Sequence, residues 1–307
     1  MIINYSIIIP HYDMPGLLSR CLKSIPRRND LQIIVVDDQS PGNDNYLQII
    51  PELSRDDVEF YIADKKLGAG HARNIGLKYA KGKKLIFSDS DDFFSDEFDK
   101  ILDEYVNDES DIVYFNCYSV NSDDISSVSN RTKDNLFKEY EACGDLRLFK
   151  EGFTEPWGKI IKRTFVERYG IEFEETMVAN DHMFSIKTGF LAQSVKAVNK
   201  RLCVVTTRDG SLSYKMIDTI EKLQTRIEVM GRVQVFLASY GVTKDPMYVF
   251  DGMVNMSHRN PKLFVKDLFL LHRYGVPISR LLYEILVYRV LSPQKWQRKK
   301  TNQSNYV

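Results

Sequence analysis

The chain has no surplus of either charge. Its 42 Lys and Arg balance 42 Asp and Glu, which disfavours a general nucleic-acid binder, since that needs a basic excess to displace counterions from phosphates. Cysteine is scarce: Cys21, Cys117, Cys143 and Cys203 are far apart and form no C-x-x-C pair. That pattern offers no zinc ribbon or dithiol motif and points to buried free thiols. No uninterrupted apolar run reaches the length of a bilayer span. The opening Met1-Ile2-Ile3-Asn4-Tyr5 shows neither a basic n-region nor a small-residue cleavage site, so no secretory leader is expected. The expectation is a cytoplasmic protein, resting at most on the inner face of the cell membrane. Internal repeats and low-complexity tracts are lacking as well. The composition is that of an ordinary globular protein, 43% hydrophobic and 27% charged over 307 residues, enough for one large domain plus an extension.

Continuous apolar runs alternate with helical patterns. Ser6-Ile7-Ile8-Ile9 and Ile33-Ile34-Val35-Val36 read as buried strands, and Val58 to Ala63 and Leu85-Ile86-Phe87 as a third and a fourth strand. Between them, Leu17, Leu18, Cys21, Leu22 and Ile25 follow helical spacing, a helix is expected around Tyr46 to Leu53, and Gly68-Ala69-Gly70 opens another. This rhythm predicts right-handed βαβ crossovers and a mainly parallel sheet. One more unit follows, a helix over Phe98 to Val106 and a strand over Ile112 to Phe115. Asn121 to Asn135 reads as a surface loop, Met183 to Leu191 as a helix and Val195 to Thr207 as a strand. From about Tyr214 the pattern is helical.

In parallel α/β sheets ligands bind outside the carboxyl ends of the strands. Pro10-His11-Tyr12-Asp13, Asp37-Asp38-Gln39-Ser40, the segment from Asp64 to Asn74, and Asp89-Ser90-Asp91-Asp92 all follow strands, so they are expected to converge on one crevice. The last group is the most telling. Three carboxylates in a poorly solvated turn repel one another, and a hard divalent ion with oxygen ligands, Mg2+ or Mn2+, suits an Asp-x-Asp spacing. Taken alone, the same stretch also reads as a solvated acidic turn capping the next helix; its place among the other strand-end clusters favours the ion.

Ile7-Ile8-Ile9-Pro10-His11-Tyr12-Asp13, Val35-Val36-Asp37-Asp38-Gln39-Ser40, Gly68 with Ala72-Arg73-Asn74-Ile75-Gly76, Asp89-Ser90-Asp91-Asp92, Trp157-Gly158-Lys159, and Asn180-Asp181 with Phe184 occur in an order that resembles the family 2 glycosyltransferases of GT-A fold. Each motif is weak by itself, but six in order form a specific signal. The resemblance covers about the first 210 residues. It implies a Rossmann-like α/β catalytic domain over residues 1–212, with a helical region over 213–307. It also implies a nucleotide-sugar donor, most simply a UDP-sugar, a divalent metal, and inverting transfer to a hydroxyl of a saccharide or lipid-linked saccharide in bacterial surface polysaccharide or glycolipid synthesis.

By that resemblance Asp91 holds the metal, and Asp89 faces the donor ribose and the metal's waters. Asp38 reads the base, while Tyr12 or the backbone beside Pro10 packs against it. Gly68 belongs to the donor site, and Arg73 offers a bidentate fork to the diphosphate. Asp181 is the expected base that removes the acceptor proton. The sequence departs from the family here, with Asn180 where an acid is usual, so Asp181 as a mere helix cap and His182 as the base both stay open. Trp157 reads as a sugar platform or a core residue. Lys159, Lys162 and Arg208 read as phosphate ligands or solvated charges.

Ile278, Leu281, Leu282, Ile285, Leu286 and Val290 follow helical spacing, and Lys295-Trp296-Gln297-Arg298-Lys299-Lys300 is a basic tail. A helix with such a tail reads as a membrane-surface element or as a helix packed on the domain with a free tail. Two other functions compete with the transferase: a phosphohydrolase of haloacid dehalogenase type, which opens with its Asp-x-Asp strand, and a non-catalytic nucleotide-sugar-binding protein, which Asn180 keeps open.

Overall fold

A computed structural model describes residues 2–208, 219–242 and 247–291. The chain divides into two compact units, Met1–Arg208 and Asp209–Val307. The expected boundary after residue 212, the helical onset at Tyr214 and the basic tail from Lys295 lie outside the described residues.

The first unit is built on strands β1 (Tyr5–His11), β2 (Leu31–Asp37), β3 (Val58–Ile62), β4 (Lys84–Phe87), β5 (Phe93–Phe94), β6 (Ile112–Asn121), β7 (Lys159–Lys162) and β8 (Val195–Thr207). They form one sheet in the order β3-β2-β1-β4-β7-β6-β8-β5. The half from β3 to β4 is entirely parallel, as the βαβ rhythm predicts. The other half is mixed: β7 runs antiparallel to β4 and β6, β5 is antiparallel to β8, and β6 pairs with β8 in parallel. The expected mainly parallel sheet therefore holds in the first half and gives way to a mixed ladder in the second.

Helices α1 (Pro15–Lys23), α2 (Tyr46–Ile49), α3 (Ala69–Tyr79) and α4 (Phe98–Tyr105) belong to the first half of the chain. They are followed by α5 (Asp134–Cys143), α6 (Arg147–Gly152), α7 (Arg163–Tyr169) and α8 (His182–Leu191). The single helix expected over Tyr46 to Leu53 is instead α2 flanked by two 3-10 turns, Asn43–Asn45 and Pro51–Ser54. Proline supplies no amide hydrogen, and the residue before it, Ile50, is driven to φ −125° and ψ 81°, so the helix stops there.

Strands β1, β2 and β4 are buried at every position. Ile7, Ile8, Ile9, Ile33, Ile34, Leu85 and Ile86 join the aromatic layer of Phe87, Phe115 and Phe184 in one core. Each such side chain contributes about 1.5–3 kcal/mol relative to its exposed state. This rigid floor leaves the loops at the carboxyl edge to carry polar chemistry. The second unit consists, among the described residues, of α9 (Ile220–Ser239), α10 (Met247–Arg259), α11 (Pro261–Arg273) and α12 (Ile278–Leu291).

Candidate active site

The loops after β1 and β2 are tied to each other by backbone. The Asp38 amide donates to the His11 carbonyl at 2.8 Å, and the Asp13 amide donates to Ser40 Oγ at 2.7 Å. Asp37 is buried and shapes its own turn, accepting from the Ser40 amide at 2.8 Å and from Asn43 Nδ2 at 2.9 Å. Asp38 reaches across to the next loop. Its two oxygens accept from the amides of Leu67 and Gly68 at 3.1 and 2.9 Å. Burial raises its pKa, against the pull of those two amides. Pro10 is buried within β1, beside Val36 of β2. Tyr12 is partly exposed, with Lys66 Nζ 3.8 Å from its ring centroid.

Glycine is required twice where this loop enters α3. Gly68 sits at φ 91°, a left-handed conformation that side chains resist. A Cβ on Gly70 would lie 2.0 Å from the Glu174 carbonyl oxygen and 2.9 Å from Asn180 Cβ. The absent side chain is what lets the segment before α8 lie directly on α3.

Arg73, one turn into α3, joins both sides of the site. Its Nη1 donates to Asn180 Oδ1 at 3.0 Å and its Nη2 to Asp89 Oδ1 at 2.5 Å. The guanidinium also lies 5.2 Å from the Phe173 ring centroid. Neighbouring Asn74 pins the same segment, donating to the Phe173 carbonyl at 3.0 Å and accepting from its amide at 2.9 Å. Asn180 is therefore a working part of the arrangement: it accepts from Arg73 and donates to the Thr176 carbonyl at 3.1 Å.

The turn after β4 brings Asp89, Asp91 and Asp92 together, with one oxygen of each within 4.8 Å of the others. Their roles differ. Asp92 is buried and accepts from the Thr206 amide of β8 at 2.7 Å, while burial and the neighbouring carboxylates push its pKa well above the usual range. Burial and then Asp89 raise that of Asp91, opposed by Arg208, whose Nε lies 3.6 Å from Asp91 Oδ2. Such crowding is relieved by a cation. Hard divalent ions take oxygen ligands at about 2.0–2.6 Å, so two carboxylates spaced this way fit one ion, with Asp89 and Asp91 as the accessible pair.

A residue unmarked in the sequence supports this turn. Arg20 of α1 donates through Nη2 to the Asp91 carbonyl at 2.6 Å and through Nη1 to the Ser122 carbonyl at 3.1 Å. Thr206 Oγ1 donates to the same Asp91 carbonyl at 2.9 Å. Nothing local distinguishes Arg20 from any helical arginine, because its partners lie 71 and 102 positions away.

Asp181 stands at the N-cap position of α8, but its carboxylate accepts no helix amide. Capping, the plainer of its two readings, is not what it does. Its Oδ1 lies 3.0 Å from His182 Nδ1. Burial acts to raise its pKa, but the His182 side chain, the charge of Arg73 and a backbone amide hold it at about 2. The group is ionised at neutral pH, as a proton acceptor must be.

Two expectations are corrected. Trp157 is no sugar platform: it is 2% exposed, packed edge-on to Phe153 at 5.4 Å between ring centroids. Lys159 is neither a ligand for phosphate nor a solvated charge. It is 0% exposed and donates to the Phe153 carbonyl at 2.8 Å. Burial, assisted by Lys133 and opposed by Glu155 and Asp181, lowers its pKa to about 7. Aromatic packing claims both residues for the interior. Lys162 pairs with Glu109 at 2.6 Å, away from the acidic turn.

Asp38, Gly68, Arg73, Asp89, Asp91, Asn180 and Asp181 thus meet at one edge of the sheet, linked through Asp38 to the Gly68 turn and through Arg73 to both Asp89 and Asn180. Negative groups ready for a cation lie beside a held guanidinium and an ionised carboxylate. Such a constellation suits a polyanionic ligand next to a hydroxyl that loses its proton.

Comparison with known proteins agrees. The chain is 26% identical over 270 residues to the glycosyltransferase GlyA of Streptococcus pneumoniae, covering 83% of this chain and 38% of GlyA. It is 27% identical over 225 residues to EpsJ of Bacillus subtilis, described as an uncharacterized glycosyltransferase, covering 69% of this chain and 64% of EpsJ. It therefore spans less than two thirds of the length of these relatives. The crystal structure of S. aureus TarS residues 1–349 in complex with UDP-GlcNAc superposes with a TM-score of 0.65 at 18% identity, covering 94% of this chain and 92% of that one. This likeness assigns the curled α/β sheet to the GT-A fold. The description "Glycosyl transferase family 2" matches residues 6–170, more than half of the sequence, and the chain belongs to that family.

Proposed function

We propose that the chain is an inverting, metal-dependent glycosyltransferase that moves a sugar from a UDP-sugar to an acceptor hydroxyl in bacterial surface polysaccharide or glycolipid synthesis, with the chemistry in the unit Met1–Arg208. The observation that carries this reading is the meeting of Asp89, Asp91, Arg73 and Asp181 at the carboxyl edge of the sheet. Family membership removes the phosphohydrolase alternative. Support for a uridine nucleotide and a hexosamine comes from relatives. S. aureus TarS, 26% identical over 217 residues, is named a poly(ribitol-phosphate) beta-N-acetylglucosaminyltransferase, and TarS structures carry UDP-GlcNAc and UDP.

Asp89 and Asp91 would hold Mn2+ or Mg2+, which when bound neutralises charge developing on the diphosphate leaving group. The protein's own residues do the rest. Arg73 presents a fixed guanidinium beside that diphosphate, already oriented by Asn180 and Asp89, so little ordering is left to be done at binding. Asp38 closes the base-side loop on the Gly68 turn. Asp181 accepts the acceptor hydroxyl's proton from the face opposite the leaving group, and His182 orients its carboxylate. Arg20 and Thr206 keep the Asp91 carbonyl in place. Asn180, the departure that left a non-catalytic role open, is explained as a neutral anchor for Arg73 and leaves Asp181 as the single acid of the pair.

Calorimetric titration with UDP, with and without Mn2+, tests the reading. UDP binding is expected to require Mn2+, to be lost in Asp91→Ala and to exceed GDP binding. The GDP comparison matters because the mannosyltransferase PcManGT of Pyrobaculum calidifontis, solved with GDP-Man and Mn2+, shares the fold at a TM-score of 0.52. Unchanged UDP binding by Asp91→Ala in Mn2+ would remove the metal role.

A further inference from the structure

We infer that the face of α11, together with the exposed apolar residues of α12, docks the protein on an anionic lipid surface. The overall neutrality of the chain hides a strong segregation of charge. Residues 259–307 contain ten Lys and Arg against two acids, Asp267 and Glu284, leaving 32 basic and 40 acidic residues in the rest of the chain. Of those two acids, Asp267 is buried.

On α11, Lys262, Val265, Lys266, Phe269 and Arg273 recur at i, i+3, i+4, i+7 and i+11, which places them along one face, and all five are exposed. Large apolar groups stand in water there without need: Phe269 is 69% exposed, and on α12, which packs against α11, Tyr283 is 67% and Leu286 61% exposed. A helix face that mixes aromatic and aliphatic side chains with cations, and no exposed acid among the described side chains, matches the interface of an anionic bilayer. Phe and Leu enter the acyl boundary while lysine and arginine heads reach up to the phosphates. A second copy of the chain is the competing occupant. A two-fold contact on this face would set Lys262, Lys266 and Arg273 against the same residues of the other copy, with no exposed acid of α11 to neutralise them. Charge therefore favours the lipid. The inference is independent of the transferase reading. Among the described residues no helix is long and apolar enough to cross a membrane.

Co-sedimentation of the full chain with vesicles tests it, without nucleotide or metal. The chain is expected to pellet with phosphatidylglycerol–phosphatidylcholine vesicles, not with phosphatidylcholine alone, and to dissociate as salt is raised. Lys262→Gln, Lys266→Gln and Arg273→Gln each weaken partitioning by about fivefold, and the triple variant by about a hundredfold. Val265→Ser with Phe269→Ser also weakens it, while thermal unfolding midpoints stay at the wild-type value because these side chains are exposed. Equal pelleting on both vesicle types, or undiminished pelleting of the triple variant, overturns the inference. So does a wild-type dimer that Val265→Ser with Phe269→Ser converts to monomer when neither protein pellets, since that assigns the face to a second copy.

Discussion

The carboxyl edge of the parallel half-sheet and the start of β7 treat charge differently. In the parallel half, from β3 to β4, charged side chains leave the ends of strands for loops in which other segments of the chain meet them: Asp38 reaches the Leu67 and Gly68 amides, and Asp89 meets Arg73. In the mixed half, Lys159 at the start of β7 is sealed among Tyr114 and Phe153 and spends its ammonium on a backbone carbonyl. The carboxyl edge gathers charge around Asp89 and Arg73, whereas the start of β7 uses it to fasten a loop, as Lys84 does at the start of β4 by donating to the Asp108 carbonyl. A motif residue therefore counts as a site residue only after its strand direction and burial are known.

Three substitutions break or sharpen this contrast. The largest effect is expected from Asp181→Asn, which should lower sugar transfer by a factor on the order of 10² or more while leaving UDP affinity nearly unchanged, as loss of a proton acceptor predicts. Intact transfer would hand the base to another residue, His182 first. Next is Arg20→Gln. Removing the donor to the Asp91 carbonyl should weaken Mn2+ affinity on the order of tenfold, in line with outer-shell changes at other metal sites. Electron paramagnetic titration of free Mn2+ reads this without turnover, and Arg20→Lys should recover part of the loss. Unaltered affinity would reduce Arg20 to a packing residue.

The smallest effect tests the mixed half. Folding lowers the pKa of Lys159 to about 7 from 10.5, so between these values the unfolded chain binds a proton that the folded chain does not. Its contribution to stability consequently rises with pH across that window. Against Lys159→Met, which has no such titration, the wild type should gain about 1 kcal/mol per pH unit from pH 7 toward 10 in chemical denaturation. UDP binding of the variant should not change. A parallel pH dependence in the two proteins would mean that Lys159 is solvated after all, and the contrast with the carboxyl edge would weaken.

Much of this was legible before any coordinates. β1, β2, β3 and β4 lie where the apolar runs put them: β1, β2 and β4 are buried throughout and leave a continuous signal, and β3, only half-buried at the sheet edge, is still rich enough in apolar residues to be read. The carboxylates at their ends converge because parallel strands share a carboxyl edge. Helix α8 and strand β8 were equally plain. What stayed hidden depends on partners distant in sequence. Four residues with a lysine at each end do not announce β7, and α5, α6 and α7 each bury only one or two side chains, Phe137, Phe149, and Phe165 with Val166, which leaves little helical periodicity to read. Trp157 could have been platform or core on its chemistry alone, and only burial decides. Arg20 carries no motif, and the role of Asn180, a departure from the family, depends on Arg73, 107 residues away.

The tie between Arg73 and Asn180 spans 107 residues, that between Asn74 and Phe173 spans 99, and the Thr206 amide reaches Asp92 across 114. The segment by which the family is recognised, residues 6–170, contains only one partner of each pair. Contacts of such long range form late, after the entropy of closing the loops has been met. A chain ending at residue 170 would hold the whole parallel half-sheet, with Asp92 lacking its Thr206 partner and Arg73 held by Asp89 but not by Asn180. The recognisable part of the protein is shorter than the part that completes its site.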